Sequence, residues 1–111
     1  MIINFQELDK RLEKVLNVIV SMGFSYEMFS NQKINIIDNN VSFAEKRNIG
    51  VITLLKSGKL TVRVYGYRKR VTLKYRMKSN EIVFTANAKL SDVGSRTRAL
   101  LKKYITVNKT L

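Results

Sequence analysis

Residues 51–67 read VITLLKSGKLTVRVYGY. Two apolar runs, Val51–Lys56 and Leu60–Tyr67, flank the Ser57-Gly58 pair. Such runs on either side of a short Gly-bearing turn predict a β-hairpin. Successive strand side chains point to opposite faces. Leu60, Val62 and Val64 therefore share one face, while Thr61, Arg63, Tyr65 and Tyr67 share the other. A strand apolar on one side and polar on the other belongs to an antiparallel sheet with one face buried and one wet.

Working outward, the same period of two recurs. Ser25–Ser30 and Lys33–Asp38 read as a hairpin around Asn31-Gln32, followed by a turn at Asn39-Asn40. Val71–Met77 and Glu81–Ala88 read as another across Lys78-Ser79-Asn80. At the N-terminal end the period lengthens: Phe5, Leu8, Leu12, Val15, Leu16 and Ile19 recur at three- and four-residue spacing, the mark of an amphipathic helix. Asn4 is the expected N-cap, with Glu7 at the capping-box position and Gly23 as the stop. Val18 and Val20 widen the apolar surface beyond one stripe, so Leu12, Val15, Val18 and Ile19 face either a sheet or a second copy of the chain. The C-terminal segment predicts a helix with Ser91 as N-cap, Asp92 in the first turn, and Val93, Thr97, Leu100, Leu101 and Tyr104 inward. The expected fold class is α+β: one domain over residues 1–111, an antiparallel β-sheet of about five to six strands with an N-terminal and a C-terminal helix.

The chain has 111 residues, 45% of them hydrophobic, enough for a packed core and too many for a disordered basic tail. It contains no His, Cys, Trp or Pro. Disulfides, thiolate nucleophiles and Cys/His zinc sites are thereby excluded, and the commonest general base at neutral pH is missing. Catalysis would have to run on carboxylates. Asp38 is followed by Glu45-Lys46 without the Glu-x-Lys spacing of a metal-dependent nuclease, and Glu7, Asp9 and Glu13 sit among Lys10, Arg11 and Lys14 as helix-face partners. There is no phosphate loop and no nucleophile elbow. The reading is a non-enzyme with no metal and no cofactor. The opening Met1-Ile2-Ile3-Asn4 lacks the pattern of a signal peptide, and no apolar run approaches a membrane span, which gives an intracellular expectation.

Charge is the strongest functional signal. The formal net charge is +13. Residues 1–55 carry six cations and six acids, whereas residues 56–111 carry fifteen cations and only Glu81 and Asp92 as acids. An imbalance confined to one half points to a surface for a polyanion. If Leu60–Tyr67 pairs with Val71–Lys78 around Arg68-Lys69-Arg70, then Arg63, Tyr65, Tyr67, Lys74, Arg76 and Lys78 fall on one wet face. Cations that follow phosphates, interleaved with rings that stack bases, are what single-stranded nucleic acid requires. Arg96, Arg98, Lys102 and Lys103 form a second basic cluster on the last helix, and Gly94-Ser95 offers backbone N–H groups near its start. Cations on the wet face of an antiparallel sheet are also an ordinary pattern that discourages edge-to-edge association. The weight lies in fifteen cations against two acids.

A basic, aromatic-bearing antiparallel sheet followed by a helix resembles the general plan of whirly-type coactivators and OB-fold proteins, although no motif carries residues across. The sequence reading is thus a largely nonspecific nucleic-acid binder, single strands favoured, forming homo-oligomers and making no membrane contact. The alternative is a small interaction module or inhibitor of phage or mobile-element type, whose basic face docks on an acidic protein or a nucleoprotein complex.

Overall fold

The structure, a computed structural model, describes residues 9–39, 47–65 and 80–109. Its first helix, α1 (Lys10–Ser21), begins where Asp9 can cap it. Asp9 has extended backbone, and its carboxylate accepts the Arg11 backbone N–H at 3.0 Å. Asp9 is thus the cap of this helix, while Asn4, Phe5, Glu7 and Leu8 lie outside the described residues. The helix ends in a Schellman arrangement: the Phe24 N–H donates to the Ile19 carbonyl at 3.0 Å, and the Gly23 N–H to the Val20 carbonyl at 3.0 Å. That closure requires φ of +90° at residue 23, which glycine takes without a steric penalty.

Five strands follow: β1 (Ser25–Met28), β2 (Lys33–Asp38), β3 (Arg47–Leu54), β4 (Leu60–Val64) and β5 (Asn80–Phe84). They form one sheet in the order β1-β2-β3-β4-β5, with every pair antiparallel. The hairpins at Asn31-Gln32 and Ser57-Gly58 stand where the alternation placed them. The third pairing differs from expectation. Both hydrogen-bonding edges of β4 are taken, by β3 and β5, with Leu60 opposite Phe84 and Arg63 opposite Glu81. The neighbour of Leu60–Val64 is thus β5 rather than the segment from Val71 to Met77, which lies outside the described residues.

Strand β3 also starts at Arg47, four residues before the expected Val51. Gly50 sits where β3 and β4 approach closely. A Cβ at residue 50 would collide with the Arg63 carbonyl oxygen and lie 3.2 Å from Val64 Cα. Directly beside it the β2–β3 register shifts: Ile36 faces Gly50 but Ile37 faces Asn48. The extra residue, Ile49, is buried.

The second helix, α2 (Leu90–Lys109), packs along α1 on one side of the sheet. It begins before Ser91, which lies in its first turn rather than at the cap; the Val93 N–H donates to the Lys89 carbonyl at 3.0 Å. Val93, Thr97, Leu100, Leu101 and Tyr104 are buried, as their spacing implied. The core joins them to Leu12, Val15, Val18 and Ile19 of α1 and to the inward strand set, including Ile34, Ile52, Leu60, Val62 and Phe84.

Two buried polar contacts bolt helices to sheet. At one end Arg11, almost wholly buried, grips Asp9 through both nitrogens of a fork (Nε–Oδ1 3.1 Å, Nη2–Oδ2 2.7 Å). It also donates to the carbonyls of Phe84 at 3.0 Å and Gly58 at 2.8 Å. At the other end the Tyr104 hydroxyl donates to Asp38 Oδ2 at 2.8 Å, with Phe24 edge-on to the ring. Burial, then the bond to Asp38 and its negative charge, hold the Tyr104 phenol far above its ordinary range, with Arg47 pulling weakly the other way. Burial also raises the Asp9 carboxyl, but the hydrogen bonds and positive charge of Arg11 outweigh it and leave the group below its ordinary 3.8.

Because the folded Asp9 holds its proton less tightly than the unfolded one, its contribution is present above about pH 3.8 and is lost as pH falls through the folded value. Acid unfolding followed by circular dichroism should show this loss in the native chain and a flattened response in Asp9→Asn. Arg11→Met removes one partner of a buried pair and strands two carbonyls, so urea unfolding should show a loss of about 3–5 kcal/mol. Gly50→Ala forces β3 away from β4 and should cost about 1–3 kcal/mol in the same measurement.

Candidate functional site

With both helices on one side, no described residue covers the opposite face of the sheet. Strand alternation sends to it the residues that do not enter the core. The register sets them in rows: Asn35, Val51, Arg63 and Glu81 lie side by side across β2–β5, and Lys33, Thr53, Thr61 and Val83 form the next row. These rows line a shallow groove of about 840 Å³. Tyr65 closes one end and Phe29 and Leu55 stand at the other, with Lys59 alongside. The twist that makes an antiparallel sheet concave thus gathers residues from both halves of the chain.

The two rings are available to a ligand. Phe29 is 70% exposed and Tyr65 is 41% exposed. Each is held by its backbone while the ring stands free: the Phe29 N–H donates to the Lys33 carbonyl at 2.9 Å, and the Tyr65 N–H to the Ile49 carbonyl at 2.8 Å. By strand spacing and rise the rings lie about 20 Å apart, at diagonally opposite corners of the groove. The floor between them mixes Val51, Val83, Thr53 and Thr61 with the Arg63–Glu81 pair. Thr61 is buried there, its hydroxyl donating to the Thr53 carbonyl at 3.4 Å.

The expected site residues are distributed as follows. Arg63 and Tyr65 share the wet face, as the alternation placed them. Arg63 is not flanked by Lys74 and Arg76, because β5 occupies that side of β4; its neighbour is Glu81, with Nη2 3.1 Å from Oε2. Tyr67, Arg68, Lys69, Arg70, Lys74, Arg76 and Lys78 lie outside the described residues. On α2, Arg98 and Lys102 are exposed on the side away from the core. Arg96 lies over the Phe84 ring at 5.5 Å, and Lys103 Nζ donates to Asn80 Oδ1 at 3.4 Å, so these two cations also pin α2 to β5. Gly94 and Ser95 fall beyond the first helical turn, where backbone N–H groups belong to the intrahelical ladder, and Gly94 is buried with the Lys14 stem against it. They do not form a phosphate cradle.

Leu12, Val15, Val18 and Ile19 are all within the core of the single chain. Their two-sided burial is met by the sheet and by α2, so a second copy would meet other residues; Val20 is the exposed apolar side chain of that helix, at 58%. Phe29, Lys33 and Lys59 were missed as site residues. The period of two already set Lys33 and Asn35 opposite Ile34 and Ile36, but joining Lys33 to Thr61 and Val83 takes the register of four strands.

Among the described residues no group of His, Cys, Asp or Glu is arranged to hold a metal ion, and no helix is long and apolar enough to cross a membrane. Compared with protein-family models, curated proteins and solved structures, the chain matches none.

Proposed function

We propose that the protein binds nucleic acid inside the cell, favouring single strands and showing little sequence preference. The observation that carries this reading is the placement of charge: fifteen cations against two acids in residues 56–111. Within it, residues 66–79 hold Arg68, Lys69, Arg70, Lys74, Arg76 and Lys78 and no acid. Such a density attracts phosphates and releases their counterions on binding.

The open groove supports the single-stranded form of the reading. A duplex presents its phosphates outward and its bases stacked, so exposed rings on a shallow sheet gain little from it. An unpaired strand can lay bases on Tyr65 and Phe29 while Lys33 and Lys59 accompany its backbone, each stacked base contributing roughly 1–3 kcal/mol.

Titration of single- and double-stranded oligonucleotides of mixed sequence at two salt concentrations tests this. Binding should fall steeply with salt, and the single strand should bind more tightly. Tyr65→Ala combined with Phe29→Ala should weaken single-strand binding by roughly tenfold or more per ring and leave duplex binding nearly unchanged. Equal losses on both would remove stacking from the account. No binding to either would transfer the basic surface to an acidic protein partner.

A further inference from the structure

The basic half of the chain holds two acids, and they differ in what the fold asks of them. Asp92 lies in the first turn of α2, where the helix dipole favours an anion. Glu81 has no such role. It stands on β5, the outermost strand among the described residues, with its side chain on the wet face and 38% exposed. What it touches is Arg63, directly opposite in the β4–β5 register, at 3.1 Å. The pair sits on the groove floor between the rings.

An ion pair this exposed is weakly held, because both charges keep much of their water and salt screens them. A phosphate offers the Arg63 guanidinium the same two-oxygen acceptor as the carboxylate does. We propose that Glu81 is a built-in counter-ion: it occupies Arg63 in the free protein and yields it to a phosphate of a single strand laid in the groove. The proposal rests on the nucleic-acid reading above and adds how that site is tuned. The released carboxylate takes up a cation from solution and so subtracts from the counterion release that drives binding. Glu81 thereby caps affinity and softens its salt dependence, while keeping a lone cation off the floor of the empty groove.

The test uses the full chain and a fluorescent oligo-deoxythymidine, titrated over a range of salt concentrations against the native protein, Glu81→Gln, Arg63→Gln and the double variant, each checked for native circular dichroism. Glu81→Gln should steepen the slope of log K against log salt by about 0.7 and tighten binding about fivefold near 0.1 M salt, the values for one added phosphate contact on a single strand. Arg63→Gln/Glu81→Gln should lose that gain, because the freed guanidinium is its source. An unchanged slope in Glu81→Gln overturns the proposal while the native protein still binds. A gain that persists in the double variant also overturns it, since the carboxylate would then act only by long-range repulsion. If neither the native protein nor Glu81→Gln binds, the functional reading fails and the counter-ion role fails with it.

Discussion

The Arg11 guanidinium is the contact on which the arrangement of layers depends. It is almost wholly buried, and a buried cation must be fully partnered or it destabilises the fold by several kcal/mol. Its partners come from three places: Asp9 at the start of α1, Gly58 in the β3–β4 turn and Phe84 at the end of β5. One orientation of α1 over the sheet satisfies all of them. The Tyr104–Asp38 bond does the same for α2 at the opposite end, where β2 terminates. Apolar burial supplies most of the stability but is non-directional. The two polar bolts select one placement of the helices among the many that would bury similar area.

That placement determines which face of the sheet the helices leave uncovered. Since both helices are committed to one face, no described residue covers the other, and its chemistry is set by whichever residues alternation sends there. The groove carries a net positive charge, with Lys33, Lys59 and Arg63 against Glu81. Most of the excess lies elsewhere in the second half of the chain, on α2 and in residues 66–79. In the proposed reading, the rings of Tyr65 and Phe29 take the bases and the cations around them follow the backbone.

Much of the fold was legible because it follows from local periodicity. The amphipathic spacing of Leu12, Val15 and Ile19, the alternation in Lys33–Asp38 and Leu60–Val64, and the Ser57-Gly58 turn each specify their own element without reference to a distant residue. The errors share a cause. Ser91 is a sound capping residue, yet α2 starts before it, because a helix begins where its neighbours can be packed as well as where its N–H groups can be capped. The expected start of β3 at Val51 missed Arg47–Gly50, because only the approach of β4 explains why a residue without a Cβ continues the strand.

Taken alone, the chain's residues determined the α+β class, the inward and outward faces of each strand, the absence of thiol and imidazole chemistry, and the confinement of excess charge to residues 56–111. These are properties of composition and of short-range period. Tertiary structure alone decided which strand lies beside β4, and so whether Arg63 meets cations or Glu81. It also decided that Arg11 is a buried bolt rather than a solvated helix cation, and that the apolar face of α1 is consumed by its own core. These register and layer contacts join residues 18 to 73 positions apart, and no local pattern encodes the distance across which a side chain finds its partner.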